Sequence, residues 1–179
     1  MSDILKAIGN TPIVKLKNIL PSGCGEIYVK LEAFNPTGSK KDRMALSMIL
    51  GAEKRGVLKK GMTVVEYSGG STGAGLAFVC SLKGYNFRLV TADVFGKEKI
   101  DLMRSLGANL EIIKSSDGKI NKELITKMIK KADQISKEPN TFFTNQLNNT
   151  DVIEGFIPLG EEILDQLNGN VDAVCDTVG

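Results

Sequence analysis

Asn35-Pro36-Thr37-Gly38-Ser39-Lys40-Lys41-Asp42-Arg43 is the stretch on which the reading of this chain turns. Ahead of it, Glu26-Ile27-Tyr28-Val29-Lys30-Leu31-Glu32 alternates as a half-buried strand does. After it, Met44 to Arg55 carries helical spacing and meets Gly56, a residue suited to a helix C-terminus. Pro36 and Gly38 supply the turn between the two. Ser39 falls where an N-cap belongs, with Asp42 three residues on, a capping-box pattern. That register places Lys41 in the first helical turn, beside unpaired N–H groups and the positive end of the helix dipole. An ammonium is disfavoured there, and Lys40 adds a like charge. Both effects push the Lys41 amine toward its neutral, nucleophilic form. Spacing alone suits a solvated basic helix start equally well, and on that reading Lys41 has no chemical role.

Outward from this stretch the chain settles into a rhythm. A short helix is predicted over 3–8 with Asp3 as its cap, then a turn at Gly9-Asn10-Thr11-Pro12, a strand at 13–16 and a loop over 20–25. Further strands are predicted at 63–67, 87–92, 109–114, 141–145 and 171–176, with helices near 72–83, 97–106, 120–137 and 152–167. Strands alternating with helices of this length mean βαβ units on a parallel sheet, so the fold class is α/β. Gly56, Gly84, Gly107 and Gly169 stand where helices stop. In the helix 120–137, Ile120, Leu124, Met128 and Ile135 form one stripe, with Lys127, Lys130, Lys131 and Lys137 as a solvated face.

Composition narrows the function classes. A net charge of +2, with lysines spread along the chain, gives no footprint for nucleic acid. No apolar run approaches the roughly 18 residues that span a bilayer, so no membrane partner is expected. The start of the chain has no signal-peptide profile. Cys24, Cys80 and Cys175 are far apart, and Cys80 and Cys175 read as buried thiols, which suits a reducing cytoplasm. The chain has no histidine, which removes Ser-His-Asp and Cys-His catalysis and histidine-based zinc sites. No metal site is read in it. Acid–base chemistry is left to lysine, carboxylates or a cofactor.

Val64-Val65-Glu66-Tyr67 leads through Ser68-Gly69-Gly70-Ser71-Thr72 into a helix from Gly73 to Lys83. Backbone N–H groups of such a loop bind anions. A dinucleotide fingerprint is a rival, with Asp93 after the next strand, but Gly73-Ala74-Gly75-Leu76-Ala77-Phe78 puts a bulky Phe78 where a third glycine or alanine belongs. A P-loop needs Gly-Lys-Ser/Thr, which this loop lacks. A strand-to-helix turn with no ligand stays open.

The quoted stretch resembles the lysine motif of the fold-type II pyridoxal-phosphate enzymes, in the cysteine synthase and cystathionine β-synthase family. Ile8-Gly9-Asn10-Thr11-Pro12-Ile13-Val14-Lys15-Leu16 is similar to the family's opening segment, and Tyr67-Ser68-Gly69-Gly70-Ser71-Thr72-Gly73 to its substrate-carboxylate loop. Asn145-Gln146-Leu147-Asn148-Asn149 resembles the stretch with a substrate-facing glutamine. The resemblance implies that Lys41 carries pyridoxal 5'-phosphate covalently and, once released, takes the α-proton of an amino-acid substrate. Ser68, Gly69, Gly70, Ser71, Thr72 and Gln146 would then bind the substrate carboxylate, and Ser71, in the place of a usual asparagine, would also touch the cofactor. Gly69 stands for a usual serine, Tyr67 for a usual proline, and Pro158-Leu159-Gly160 for a usual Thr-Thr-Gly.

It further implies a doubly wound, mostly parallel, tryptophan synthase β-like fold in two lobes. The smaller would run over 40–145 and the larger over 1–39 plus 146–179. Gly179 would open a glycine cup for the cofactor phosphate, so the sequence reads as the N-terminal half of the usual enzyme with an incomplete large lobe. β-Replacement or β-elimination on a small-molecule amino acid is the implied activity, and a homodimer the implied assembly. A non-catalytic α/β portion that folds, as a dimer covering an exposed sheet edge, is the alternative.

Overall fold

A computed structural model describes residues 4–177. A 3-10 turn at Ile4–Ala7 precedes β1 (Ile13–Lys15) and β2 (Tyr28–Lys30), which pair antiparallel with Val14 opposite Val29. There follow α1 (Lys41–Lys54), β3 (Thr63–Tyr67), α2 (Ser71–Lys83), β4 (Asn86–Ala92), α3 (Lys97–Ser105) and β5 (Asn109–Ile113). The chain continues through α4 (Lys122–Ser136), β6 (Thr141–Phe143) and α5 (Asp151–Gln166). The last four strands form one parallel sheet in the order β5-β4-β3-β6. From β3 the chain steps outward to β4 and β5, then α4 carries it back to set β6 on the other side of β3. The strand order therefore reverses beside β3, and in sheets of this kind the binding crevice lies at that point, beyond the carboxyl ends of the strands.

Both faces of the sheet are covered, as a parallel sheet requires. On one side α1, α2 and α3 share a core with Val64, Phe87 and Leu89, built from Met44, Met48, Ile49, Leu76 and Met103. On the other, Leu124, Met128, Ala132 and Ile135 of α4 lie on Val65, Tyr67 and Val90. Each such side chain contributes about 1.5–3 kcal/mol by leaving water. Two glycines of α2 permit this packing. A Cβ on Gly73 would stand 2.6 Å from Met103 Sδ, and one on Gly75 would stand 3.2 Å from the Lys41 carbonyl oxygen. Gly73 and Gly75 thus lie inside α2 at helix contacts, whereas a dinucleotide fingerprint places its first glycines in the turn before the helix.

Several boundaries differ from the sequence expectation. The strand predicted over 26–32 forms only at Tyr28–Lys30, and the one over 141–145 ends at Phe143. Residues 171–176 form no strand. An apolar run becomes a strand only when a neighbour completes its ladder, and no described strand lies beside this one. Val174 is consequently 71% exposed, and Cys175 is exposed rather than buried. Ile120 precedes α4 and is exposed, while Ala132 takes its place in the buried stripe. The capping box does not form. Asp42 turns back to accept the Thr37 N–H at 2.7 Å and the Thr37 hydroxyl, while Ser39 Oγ accepts the Lys41 N–H at 3.2 Å. The four stop glycines, Gly56, Gly84, Gly107 and Gly169, all have positive φ.

A largely buried ionic cluster joins the β1–β2 pair to α1 and α5. Arg43 of α1 donates from Nε to Glu32 at 2.8 Å and from Nη1 to Glu162 of α5 at 2.7 Å. Lys30 Nζ donates to the same Glu162 at 2.7 Å, and the Asn10 N–H does so at 2.8 Å. Burial works to raise the Glu162 carboxyl, but the hydrogen bonds from Arg43 and Lys30 outweigh it and hold it at about 2. A carboxylate whose value is depressed on folding stabilises the fold above its unfolded value and ceases to as pH falls through the folded one. The window here is pH 4.5 to about 2. Glu162→Gln is therefore expected to lower stability at pH 7 and to flatten the loss on acidification across that window. Urea midpoints measured at pH 7, 4.5, 3 and 2 check this, and equal acid slopes in both proteins would refute it.

Candidate active site

The crevice beside β3 is built from two strand ends and two helix starts. β3 ends at Tyr67, Ser68-Gly69-Gly70 turn, and α2 begins at Ser71. Ser68 is buried, and its Oγ accepts the N–H groups of Gly70 and Gly73, both at 3.2 Å. That leaves the Ser71 and Thr72 N–H groups in the first turn of α2 without a helical acceptor, a setting that favours an anion. Thr72 is buried and Ser71 exposed. Phe95 covers Gly69 so closely that a Cβ there would stand 2.1 Å from the ring. Lys99 Nζ lies 3.8 Å from the place of a Gly70 Cβ, so a positive charge borders the loop.

Glu66 fastens the second strand end to the first. Its buried carboxylate accepts the Tyr67 N–H at 2.8 Å, the Thr144 hydroxyl at 2.7 Å and the Gln146 N–H at 2.9 Å. Burial raises its value, and these three bonds oppose the rise. The Gln146 side-chain amide donates to the Tyr67 carbonyl at 3.0 Å, which uses one of its two N–H donors. Gln146 is thus brought to the root of the 68–72 loop.

Lys41 is the first residue of α1 and half-buried. Burial lowers its value most, Lys40 lowers it further, and Asp176 works the other way. The like charge was legible in the sequence, whereas the larger effect, burial, was not. The amine lies 5.7 Å from the centroid of the Phe156 ring of α5. Because the Lys41 carbonyl lies against Gly75, its backbone stands one turn of α2, about 6 Å along the axis, from Ser71. Lys40 forms an ion pair with Asp176, which holds the segment after α5 over the start of α1. Gly179 lies outside the described residues.

Phe95, Lys99 and Asp176 carry no sequence motif, so sequence reasoning missed them. Glu66 did carry a signal, a lone carboxylate inside an apolar strand run. A cavity of about 540 Å³ is lined by Ser81, Tyr85, Arg88 and Asn109 at the opposite, amino ends of the strands. Sites of such sheets form at the carboxyl ends, so that cavity is set aside. Among the described residues no group of three or more His, Cys, Asp or Glu could hold a metal ion, and no helix is long and apolar enough to cross a membrane.

What the arrangement offers is an amine held toward its neutral form, suited to an aldehyde, and unpaired N–H groups at a helix start, suited to a carboxylate. Comparison with known proteins bears on the family. Cysteine synthase of Staphylococcus aureus (strain N315) is 39% identical over all of this chain and 56% of its own length. Cysteine synthase B of Escherichia coli (strain K12) is 36% identical over all of this chain and 57% of its own length. Among solved structures, a hydrogen sulfide-producing enzyme from Fusobacterium nucleatum superposes with a TM-score of 0.86 at 36% identity, over 96% of this chain and 55% of that one. Cysteine synthase from Entamoeba histolytica also gives 0.86, at 30% identity, over 96% and 51%. The chain spans about half the length of the relatives it matches. The model of the pyridoxal-phosphate dependent enzymes matches residues 4–179, and the chain belongs to that family, whose cofactor is pyridoxal 5'-phosphate.

Proposed function

We propose that this chain provides the lysine-bearing and carboxylate-binding part of an enzyme that replaces or eliminates the β-substituent of an amino acid, as a cysteine synthase does. The observation that carries this reading is the half-buried Lys41 amine, held below the ordinary lysine value, with its backbone one turn of α2 from the 68–72 loop. Lys41 would hold the cofactor, with Ser71 as a further contact; Gly179, given the same role by the sequence, lies outside the described residues. The cofactor, when bound, supplies a sink for the negative charge left on Cα after proton loss. Lys41 in its neutral form takes that proton at Nζ. Ser68, Gly69, Gly70, Ser71 and Thr72 orient the carboxylate of the substrate, such as an O-activated serine, and Gln146 adds an amide. The Phe156 ring borders the amine on one side.

The same reading places a lobe boundary near residues 40 and 145. All four parallel strands fall within 40–145, whereas β1 and β2 pair only with each other. A homodimer is supported by the apolar side chains that α5 leaves exposed, Ile153, Ile157 and Leu164. A cytoplasmic setting is supported by three free thiols.

The test is chemical. Pyridoxal 5'-phosphate is added to the purified chain, borohydride reduction fixes any adduct, and peptide mass mapping locates it. The adduct is expected on Lys41 and is expected to vanish in Lys41→Ala. Labelling spread over exposed lysines such as Lys97, unchanged in Lys41→Ala, would overturn the assignment.

A further inference from the structure

We propose that Phe95 is a positioning residue for the carboxylate loop, its ring taking the place of a side chain at residue 69. This rests on the reading of the 68–72 loop given under Proposed function and goes beyond it. Gly69 and Gly70 adjoin in that loop, and glycines lose the most conformational freedom on ordering. The loop is fastened on either side of Gly69, the Ser68 N–H donating to the Val90 carbonyl at 3.0 Å and Ser68 Oγ accepting the Gly70 and Gly73 N–H groups, while among the described residues no hydrogen bond holds Gly69 itself. What presses on Gly69 is the Phe95 ring. A Cβ on Gly69 would meet its Cε1, Cζ and Cδ1 at 2.1, 2.2 and 2.4 Å, distances no real Cβ adopts. The ring therefore fills the volume a serine side chain would need, and glycine is the residue that fits beneath it.

Phe95 is itself firmly held. It is half-buried against the α4-side core of Val65, Tyr67, Val90 and Ala92. Its N–H donates to the Ala92 carbonyl at 3.3 Å, and the Asp93 N–H donates to Ile113 at 3.2 Å. Asp93 Oδ1 accepts the Ser115 N–H at 2.9 Å, which ties the turn to the end of β5. The sheet thus reaches Gly69 through this aromatic ring, as it reaches Ser68 through the Val90 carbonyl. With that ring in place, the Ser71 and Thr72 N–H groups meet a carboxylate already oriented, and less ordering is left to binding.

Amide hydrogen exchange on the purified chain tests the coupling directly. Phe95→Ala is expected to raise exchange at Gly70 and Gly73, whose N–H groups Ser68 Oγ accepts, about tenfold, with Leu89, Val90 and Ile112 unchanged. Phe95→Leu, which keeps most of the apolar contact, is expected to restore most of the protection and covers the case in which the alanine variant folds poorly. Gly69→Ser is expected to disturb the loop in the parent but to be tolerated beside Phe95→Ala, so the two changes are strongly non-additive. Loop exchange that does not respond to Phe95→Leu and Phe95→Ala, exchange that rises equally along β4, or effects that simply add would overturn the proposal. L-Serine titrated into the cofactor-loaded proteins separates the two readings. Affinity that falls with Phe95→Ala and returns with Phe95→Leu supports both, and no L-serine binding by any of them, with the exchange pattern intact, refutes the carboxylate assignment while leaving the Phe95 coupling in place.

Discussion

Arg43→Ala is expected to destabilise the fold by about 3–5 kcal/mol, the scale for removing one partner of a buried ion pair. The guanidinium is 3% exposed and is gripped by two carboxylates that are themselves only 15% and 17% exposed. Burial alone would lower its value, but Glu162 and Glu32 together raise it well above the ordinary arginine range. Without it, Glu32 and Glu162 are left partly buried, with Lys30 as the one cation beside Glu162. The damage is not local, because the cluster ties the 9–11 segment, the turn after β2, α1 and α5 to one another. Arg43→Lys is expected to recover little, since an ammonium cannot present two parallel N–H bonds to each carboxylate. Urea unfolding of the three proteins at pH 7 measures this. A loss below about 1 kcal/mol for Arg43→Ala would mean that the cluster is a solvated pair of ordinary surface strength.

Arg43 also shows how far the sequence could be read. It closes the quoted lysine stretch, and its place in a helix after a turn was legible from Pro36, Gly38 and the apolar spacing beyond. Its partners were not, because Glu32 lies 11 residues back and Glu162 119 residues on. Local rules gave the strand–helix alternation, the central strand Val64-Val65-Glu66-Tyr67 and the helix stops, since each is decided within a few residues. They failed where a distant partner decides. Val171 to Asp176 has the composition of a buried strand, yet no strand of the described residues lies beside it, and Cys175 and Val174 face solvent. Asp42 had the spacing of a capping box, and Thr37 offered it two donors instead. In the candidate site, the loop and Lys41 were marked by motif, whereas the Phe95 ring over Gly69 comes from a turn after the next strand. Gly69 was noticed as an unusual residue, and only the fold shows what fills the space above it.

The two glycines in α5 are expected to respond oppositely to one methyl group. A Cβ at Gly155 would stand 2.9 Å from both the Arg43 carbonyl oxygen and Met44 Cα, and 3.0 Å from Ser47 Cβ. Two of those neighbours are backbone, so the strain is relieved only by moving α5 away from α1, and Asp151 and Glu162 move with it. Gly155→Ala is therefore expected to lose about 3 kcal/mol, at the upper end of what overpacking costs. Gly160, five residues further along the same helix, has nothing within 4 Å of an added Cβ. There the methyl meets no obstacle, and the gain in helix propensity decides the sign. Gly160→Ala is expected to stabilise by about 0.5–1 kcal/mol. Paired thermal and urea unfolding of the two variants checks this. Equal losses would place the α5 contact with α1 elsewhere than at Gly155, whereas opposite signs would fix the close approach of the two helices at the turn that carries Arg43.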